Sequence, residues 1–381
     1  MNILFLNNST ANPITGGIQC VAYYLYKYFV SQGHHVVMLA WVKTVDDGNH
    51  DFVYMPDSNK QLSKANKCFL EELLDSNHID IVLNHTCLEP YKSIVLKFIF
   101  NKGLTVVNIF HNSPFGMYGI RKYRKLLNIK STLVKQIIDK TIRLGFYIKY
   151  GYLLHMQAKY CNKVVLLSDH FKKEYTFFAG RKYAYKLISI PNPLTVENVN
   201  LADKQNRILY VGRLSAQKGL NYLLEIWNQI EDKYPDWSLD IVGDGEEKAN
   251  AENKIQQLGL KRCKLYGFQQ PDPFYTRSKI FCMTSLFEGF GLVLIEAMNY
   301  KTVPLAFDSY PNVKDIIDNG KNGLLIPPFD VDHYANALSL LMDNPNLLEA
   351  MADEAKMKSK EYDLEIIGSR WEKLFEELLK K

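Results

Sequence analysis

Short apolar runs alternate with segments of helical spacing along the whole chain. ILFLN (3–7), bounded by Asn and Ser, suits a buried parallel strand. A loop holding Gly16 and Gly17 follows, then an amphipathic run to about Val30 and a second apolar run, HVVMLA (35–40). After an irregular stretch come IDIVLNH (79–85), TVVNIFH (105–111) and KVVLLS (163–168), each ahead of a helical-looking segment. Strand, crossover and strand repeated this often predict a parallel sheet covered on both faces. Such folds take their ligands at the carboxyl ends of the strands.

KLISIPNPLTVENVNLADKQN (186–206) breaks the pattern with two prolines and many polar residues, and reads as an interdomain connection. The alternation then restarts: RILYVGR (207–213), a helix from about Gly219, LDIVGDG (239–245), a helix to about Leu258, CKLYGF (263–268), KIFCMTS (279–285), TVPLAF (302–307) and GLLIPP (323–328). Helices after Asp330 end in EIIGSRWEKLFEELLKK (365–381). The expected fold class is α/β, with two Rossmann-like doubly wound domains. Residues 1–190 form the first, 191–205 link them, 206–362 form the second, and a helix at 363–381 crosses back to the first.

A length of 381 residues suits two domains, and 47% hydrophobic with 23% charged residues excludes disorder, collagen and coiled coil. The net charge of +5 is too mild to imply a nucleic-acid partner, and none is expected. Its distribution says more. From Phe115 to Tyr160 ten cations face Asp139 alone, interleaved with aromatics such as Tyr118, Tyr123, Tyr147 and Tyr152. A segment of this kind can lie on an anionic membrane, at ~1 kcal/mol per cation near that surface. It can equally be a solvated helical face with its aromatics in the core.

The six cysteines are scattered without a C-x-x-C pair, which argues against zinc and disulfides and for a reducing compartment. MNILFLNNST lacks the basic start of a signal peptide, and no stretch approaches the ~20 apolar residues that span a bilayer. A soluble protein is expected.

Chemistry concentrates at strand ends. FEGFGLVLIEA (287–297) passes from a strand through Gly289 and Gly291 into a helix, presenting unpaired N–H groups and a positive dipole end. Glu288 lies in that turn and Glu296 two helical turns on, too far for a paired acid and base. They suit two separate acceptors for an extended polyhydroxylated ligand. YVGRLSAQKGL (210–220) repeats the strand–loop–helix form with Arg213 and Lys218, whose charges match a diphosphate. It lacks the G-x-x-x-x-G-K-[ST] spacing of a P-loop. In the first domain, Gly16 and Gly17 follow the first strand, His111 ends NIFH and His85 ends IVLNH. Asp330-Val-Asp332 matches a metal-binding D-x-D, but its place before HYANALSLLM makes helix capping the better account, so no metal site is expected.

The ordered set ILYVGRLSAQKG, VGDGEE, LYGF, TSLFEGFGLVLIEA and NGLLIPP resembles the retaining, family 4 glycosyltransferases of GT-B fold. GGIQ, FHNSP, VVLLSDHFKKEY and IPNPL resemble family positions in the first half, which otherwise diverges. The resemblance implies two domains facing a central cleft and a nucleotide-sugar donor, UDP-sugar or GDP-sugar, held by the second. Arg213 and Lys218 would neutralise the diphosphate, Glu296 would accept from the ribose, and Glu288 would contact the donor sugar. Phe290 and Gly291 would offer backbone N–H groups, and Gly267 and Phe268 would lie against the base. Gly16 and Gly17 would let the first domain's loop close over the diphosphate and acceptor, and His111 would contact the sugar. The activity implied is metal-independent, cofactor-free hexosyl transfer to a glycan, lipid-linked acceptor in polysaccharide, capsule or lipopolysaccharide synthesis. Its place is cytoplasmic, peripheral on the inner face of the membrane. A nucleotide-sugar epimerase and a non-catalytic GT-B partner subunit stay open as alternatives.

Overall fold

The computed structural model describes residues 1–14, 16–44, 52–58, 62–86, 90–116, 132–196 and 204–380. Runs of Val, Ile and Leu form strands here because helices cover both faces of each sheet, so successive side chains are buried whichever way they point. Among the described residues the chain divides into Met1–Thr195 with Leu364–Lys381, and Val196–Asp363.

The first unit contains β1 (Asn2–Ser9), α1 (Gly17–Ser31), β2 (His35–Val42), β3 (Phe52–Tyr54), α2 (Lys64–Ser76), β4 (Ile81–Asn84) and α3 (Pro90–Asn101). It continues with β5 (Thr105–Phe110), α4 (Thr132–Lys159), β6 (Lys163–Leu166), α5 (Phe171–Ala179) and β7 (Leu187–Ser189). The strands are parallel in the order β3-β2-β1-β4-β5-β6-β7, with Ile3 of β1 aligned to Val36 on one side and Ile81 on the other. The order reverses between β1 and β4, which is where open sheets of this kind admit a ligand.

The second unit holds β8 (Gln205–Val211), α6 (Leu220–Ile230), β9 (Ser238–Val242), α7 (Lys248–Leu258), β10 (Cys263–Leu265), α8 (Asp272–Arg277) and β11 (Ser278–Met283). After these come α9 (Leu292–Asn299), β12 (Val303–Phe307), α10 (Val313–Ile316), β13 (Leu324–Ile326), α11 (Val331–Asp343) and α12 (Pro345–Ser359). Its parallel order is β10-β9-β8-β11-β12-β13, so the reversal falls between β8 and β11. Leu223, Leu224 and Trp227 of α6 pack in one core with Ile208, Ile241, Ile280 and Leu305 of the sheet.

The last helix, α13 (Leu364–Leu379), belongs to the first unit. Its buried residues Ile367, Trp371, Leu374 and Phe375 recur at helical spacing. Phe375 packs on Phe29 of α1 at 5.3 Å between ring centres, and Tyr28 Oη donates to Glu372 Oε2 at 2.9 Å. Among the described residues no helix is long and apolar enough to cross a membrane.

The periodicity misses β3 and β7, three-residue strands at the two sheet edges. LIS of β7 lies inside the stretch read as a connection. The first unit also extends further than expected: Asn192, Leu194 and Thr195 are buried, so the chain leaves this unit after Thr195. The remainder of the expected linker lies largely outside the described residues, as do Cys87 and positions 117–131 of the basic segment.

Candidate functional site

The two loop-to-helix junctions of the second unit are joined to each other. β8 ends at Val211, and Gly212 N donates to Val242 O at 3.0 Å, which sets the course of the loop carrying Arg213. A single 3-10 turn, Ala216–Lys218, then leads to Gly219 and α6. Gly219 has a φ of 62°, and a Cβ there would lie 2.1 Å from Thr284 O, so only glycine lets the two loops approach this closely. Leu286 N donates to Gln217 O at 2.8 Å, Gln217 Nε2 to Phe287 O at 3.0 Å, and Thr284 Oγ1 to Gly219 O at 3.0 Å.

Across this seam Lys218 Nζ donates to Glu288 Oε1 at 2.6 Å. Ser285 Oγ donates to the same oxygen, also at 2.6 Å. Glu288 is buried, and both of these bonds fall on its Oε1. Arg213 is exposed and makes no ion pair among the described residues. Beyond Glu288, buried Asn312 donates from Nδ2 to Gly289 O (3.3 Å) and Phe290 O (3.2 Å), fixing the turn before α9. Gly291 precedes that helix with a φ of 97°, while the Phe290 ring is buried against Tyr362.

The remaining predicted residues of this unit stand apart from that cluster. Glu296 is held by fully buried Tyr275, whose Oη donates to Oε2 at 3.1 Å. Gly267 O accepts from Gly243 N at 2.8 Å beyond β10, and the adjoining Phe268 is 59% exposed, a free aromatic face. Asp330 caps α11 by accepting from His333 N at 3.0 Å, and no group of side chains that could hold a metal occurs among the described residues.

In the first unit Gly16 precedes α1 and Gly17 is its first residue, at the carboxyl side of β1. His111 follows β5 and lies against His85, which follows β4. His111 Nε2 and His85 Nδ1 are 3.1 Å apart, and the rings stack with centres 5.1 Å apart. Burial holds His111 down to about 4 and His85 well below its ordinary range, the second also opposed by its neighbour's charge. Below them Asn84 donates to Asn108, Asn108 Nδ2 donates to Gln157 Oε1 at 3.2 Å, and Thr86 Oγ1 donates to Asn84 Oδ1 at 2.6 Å. Glu174 accepts from Ser113 Oγ (2.9 Å) and Phe115 N (3.1 Å), which ties the loop after His111 to α5. The sequence motifs point to His85 and His111 singly, and do not mark Ser285, Gln217, Asn312 or Glu174. The polar residue just past an apolar run was the available signal for Ser285 and His85.

A separate surface lies on α4. Ile137, Leu144, Ile148 and Tyr152 are 58–66% exposed and follow one helical face, while Phe146, Leu153 and Gln157 face the core. Tyr147 packs on exposed Phe177 of α5 at 5.5 Å, extending the stripe. Beside it a cavity of about 540 Å³ is lined by Lys140, Leu144, Tyr147, Phe177 and Arg181.

Residues 193–358 match the family model for glycosyl transferases group 1. The matched residues include Arg213, Lys218, Ser285, Glu288, Glu296 and Asn312. A glycosyltransferase of Haemophilus influenzae is 36% identical over 215 residues, 55% of this chain and 60% of its own. The amylovoran biosynthesis glycosyltransferase AmsD of Erwinia amylovora is 34% identical over 55% of this chain and 60% of its own. A Campylobacter jejuni N-acetyl-D-galactosaminyltransferase named for a glycan-PP-undecaprenol is 26% identical over 60% of this chain and 64% of its own. The chain thus spans less than two thirds of the length of these curated relatives. Among solved structures, Anabaena HepE in complex with UDP-glucose superposes with a TM-score of 0.73 at 17% identity, covering 99% of this chain and all of that one. The fold is that of the GT-B glycosyltransferases.

Proposed function

We propose that this protein is a glycosyltransferase that moves a hexose-type sugar from a nucleoside diphosphate sugar to a glycan acceptor. The donor is a UDP-sugar, with GDP-sugar as the other base to test. The acceptor is lipid-linked, and the product belongs to polysaccharide, capsule or lipopolysaccharide synthesis. The group 1 match, the amylovoran and undecaprenol names of two relatives, and the UDP-glucose bound by a structural neighbour support this reading.

The observation that carries it is the seam at which Lys218 meets Glu288 at 2.6 Å, with Arg213 on the adjoining strand end. Breaking a glycosyl–phosphate bond builds negative charge on the diphosphate and positive character on the sugar. Lys218, held by Glu288, and the helix starts of α6 and α9 are in place before the reaction and oppose the first, with exposed Arg213 beside them. Glu288 Oε2 and Glu296 are acceptors suited to sugar and ribose hydroxyls, and Phe268 is a face on which a base can stack. Side-chain cations in this position supply the charge that a divalent ion would supply, which favours a metal-independent transfer. Retention of anomeric configuration is part of the proposal on the family resemblance. The stripe on α4, with Lys140 and Arg181 at its cavity, favours docking on an anionic bilayer, where a lipid-linked acceptor resides.

Arg213→Ala is the cleanest test, since it removes no ion pair seen among the described residues. UDP release from a panel of UDP-sugars with a lipid-linked glycan is expected to fall by about 10²–10³-fold. The unfolding midpoint should stay where it is. Undiminished turnover in this variant would remove the diphosphate assignment.

A further inference from the structure

His85 and His111 form a polar pair whose outer ring nitrogens have no hydrogen-bond partner among the described residues. They follow adjacent parallel strands, β4 and β5, and β4 borders the point where the strand order reverses. Both rings are more than nine-tenths buried, and Phe5 of β1 stacks on the far face of His85 at 5.1 Å between ring centres. One contact, His111 Nε2 to His85 Nδ1 at 3.1 Å, satisfies one nitrogen of each ring. Among the described residues the other two nitrogens, His85 Nε2 and His111 Nδ1, are buried without a hydrogen-bond partner, as is Nδ2 of Asn7 on β1. Three unsatisfied polar groups at the carboxyl ends of three adjacent strands are costly unless a ligand completes them.

The tautomers of the two rings are linked by that contact. A neutral imidazole carries one N–H, so exactly one of the two facing nitrogens must be protonated. If His111 Nε2 holds the proton, His111 Nδ1 accepts and His85 Nε2 donates. If His85 Nδ1 holds it, the outer roles exchange. Either way the pair offers one donor and one acceptor, the complement of a hydroxyl group that does both. Burial keeps both rings neutral at neutral pH, so the rule holds there.

We infer that His85 is a positioning residue: through its hydrogen bond to His111 it fixes which ring nitrogen of His111 meets a hydroxyl of the polyhydroxylated ligand. This rests on the reading of the first unit's carboxyl edge as part of a glycosyl-transfer site. The Asn84–Asn108–Gln157 chain beneath holds the two strand ends in register for it.

The test compares His85→Phe, which keeps ring volume and the stack on Phe5, with His85→Asn, whose amide reaches the Nδ1 position, and His85→Gln, whose amide does not. Nitrogen-15 spectra of the histidine rings in the full-length protein report the tautomers directly. The expected result is one slowly exchanging ring N–H shared between His85 and His111. It is lost in His85→Phe and His85→Gln and regained at His111 in His85→Asn. Transfer measured with a UDP-sugar should lose about tenfold or more in kcat in His85→Phe, with KM for the donor little changed, and recover in His85→Asn. Facing nitrogens both protonated or both bare would overturn the coupling whatever the activity. If His111→Phe loses turnover and His85→Phe does not, the positioning role falls and the site reading stands. If neither variant loses turnover, both fall. Should His85→Phe not fold, the Asn and Gln variants decide in the same way, and equal kcat in those two overturns the proposal.

Discussion

Lys218 and Glu288 are 70 residues apart in sequence and joined by one short ion pair whose partners are 20% and 9% exposed. Lys218→Ala is therefore unlike Arg213→Ala. It removes a diphosphate cation and also leaves a buried carboxylate with Ser285 as its remaining side-chain donor. About 1–3 kcal/mol of stability should go with the activity, readable as a lower urea midpoint. The histidine pair makes a prediction of the opposite kind, in which charge is gained. In the unfolded chain both rings titrate near 6.5, whereas folded His111 titrates at about 4 and His85 is also depressed. Between these values the unfolded state binds more protons, so stability rises with pH and is lost as pH falls below about 6.5. The limiting slope is ~1.4 kcal/mol per pH unit for each histidine. Urea unfolding of the wild type should weaken from pH 7.5 to 5.0, and His85→Phe should weaken less. Equal losses in the two proteins would show that these rings do not set the dependence.

At the scale of elements, the long apolar runs identified themselves, because a strand buried on both faces has no polar position to disguise it. The edge strands Phe52–Tyr54 and Leu187–Ser189 did not: each is three residues long and sits in an irregular stretch that breaks the alternation of strand and helix. The site divided the same way. Arg213, Lys218, Glu288 and Glu296 stood beside glycine turns at strand ends, where sequence marks them. The pairing of Lys218 with Glu288, and of His85 with His111, joins separate strands through tertiary register that no local spacing encodes. Helix α4 shows what periodicity can supply once burial is known. Its buried residues, Phe146, Leu153 and Gln157, fix one face, and Ile137, Leu144, Ile148 and Tyr152 fall on the other. The sequence left open a membrane surface or a solvated face with its aromatics in the core. Four large apolar side chains at 58–66% exposure favour the first. Flotation with anionic liposomes should capture the protein, and Leu144→Ser with Ile148→Ser should release it. Recovery from neutral and anionic liposomes in equal amounts would remove the electrostatic part of this reading.

At the scale of the molecule, the chain completes its first unit with its last described helix, so that unit depends on residues more than 160 positions away from the rest of it. The joint is specific. Gly368 of α13 lies under the Tyr28 ring, and a Cβ there would stand 2.3 Å from Tyr28 Cε1. The ring cannot easily yield, because it is buried and its hydroxyl is tied to Glu372 at 2.9 Å. Burial, together with the same bond, raises the Tyr28 hydroxyl to about 12, so it stays a donor at all ordinary pH. Gly368→Val should therefore push α13 off α1 at a cost of about 1–3 kcal/mol, and the two units should feel it unequally. Hydrogen exchange should quicken across α1 and β1–β7 and stay unchanged across β8–β13, whose core of Trp227, Ile241 and Leu305 contains no residue of α13. Because the proposed donor site is built wholly within the second unit, UDP should raise the apparent stability of that unit in the variant as it does in the wild type. Uniform quickening across both sheets would mean that the two units unfold together and that the last helix supports more than the unit it joins.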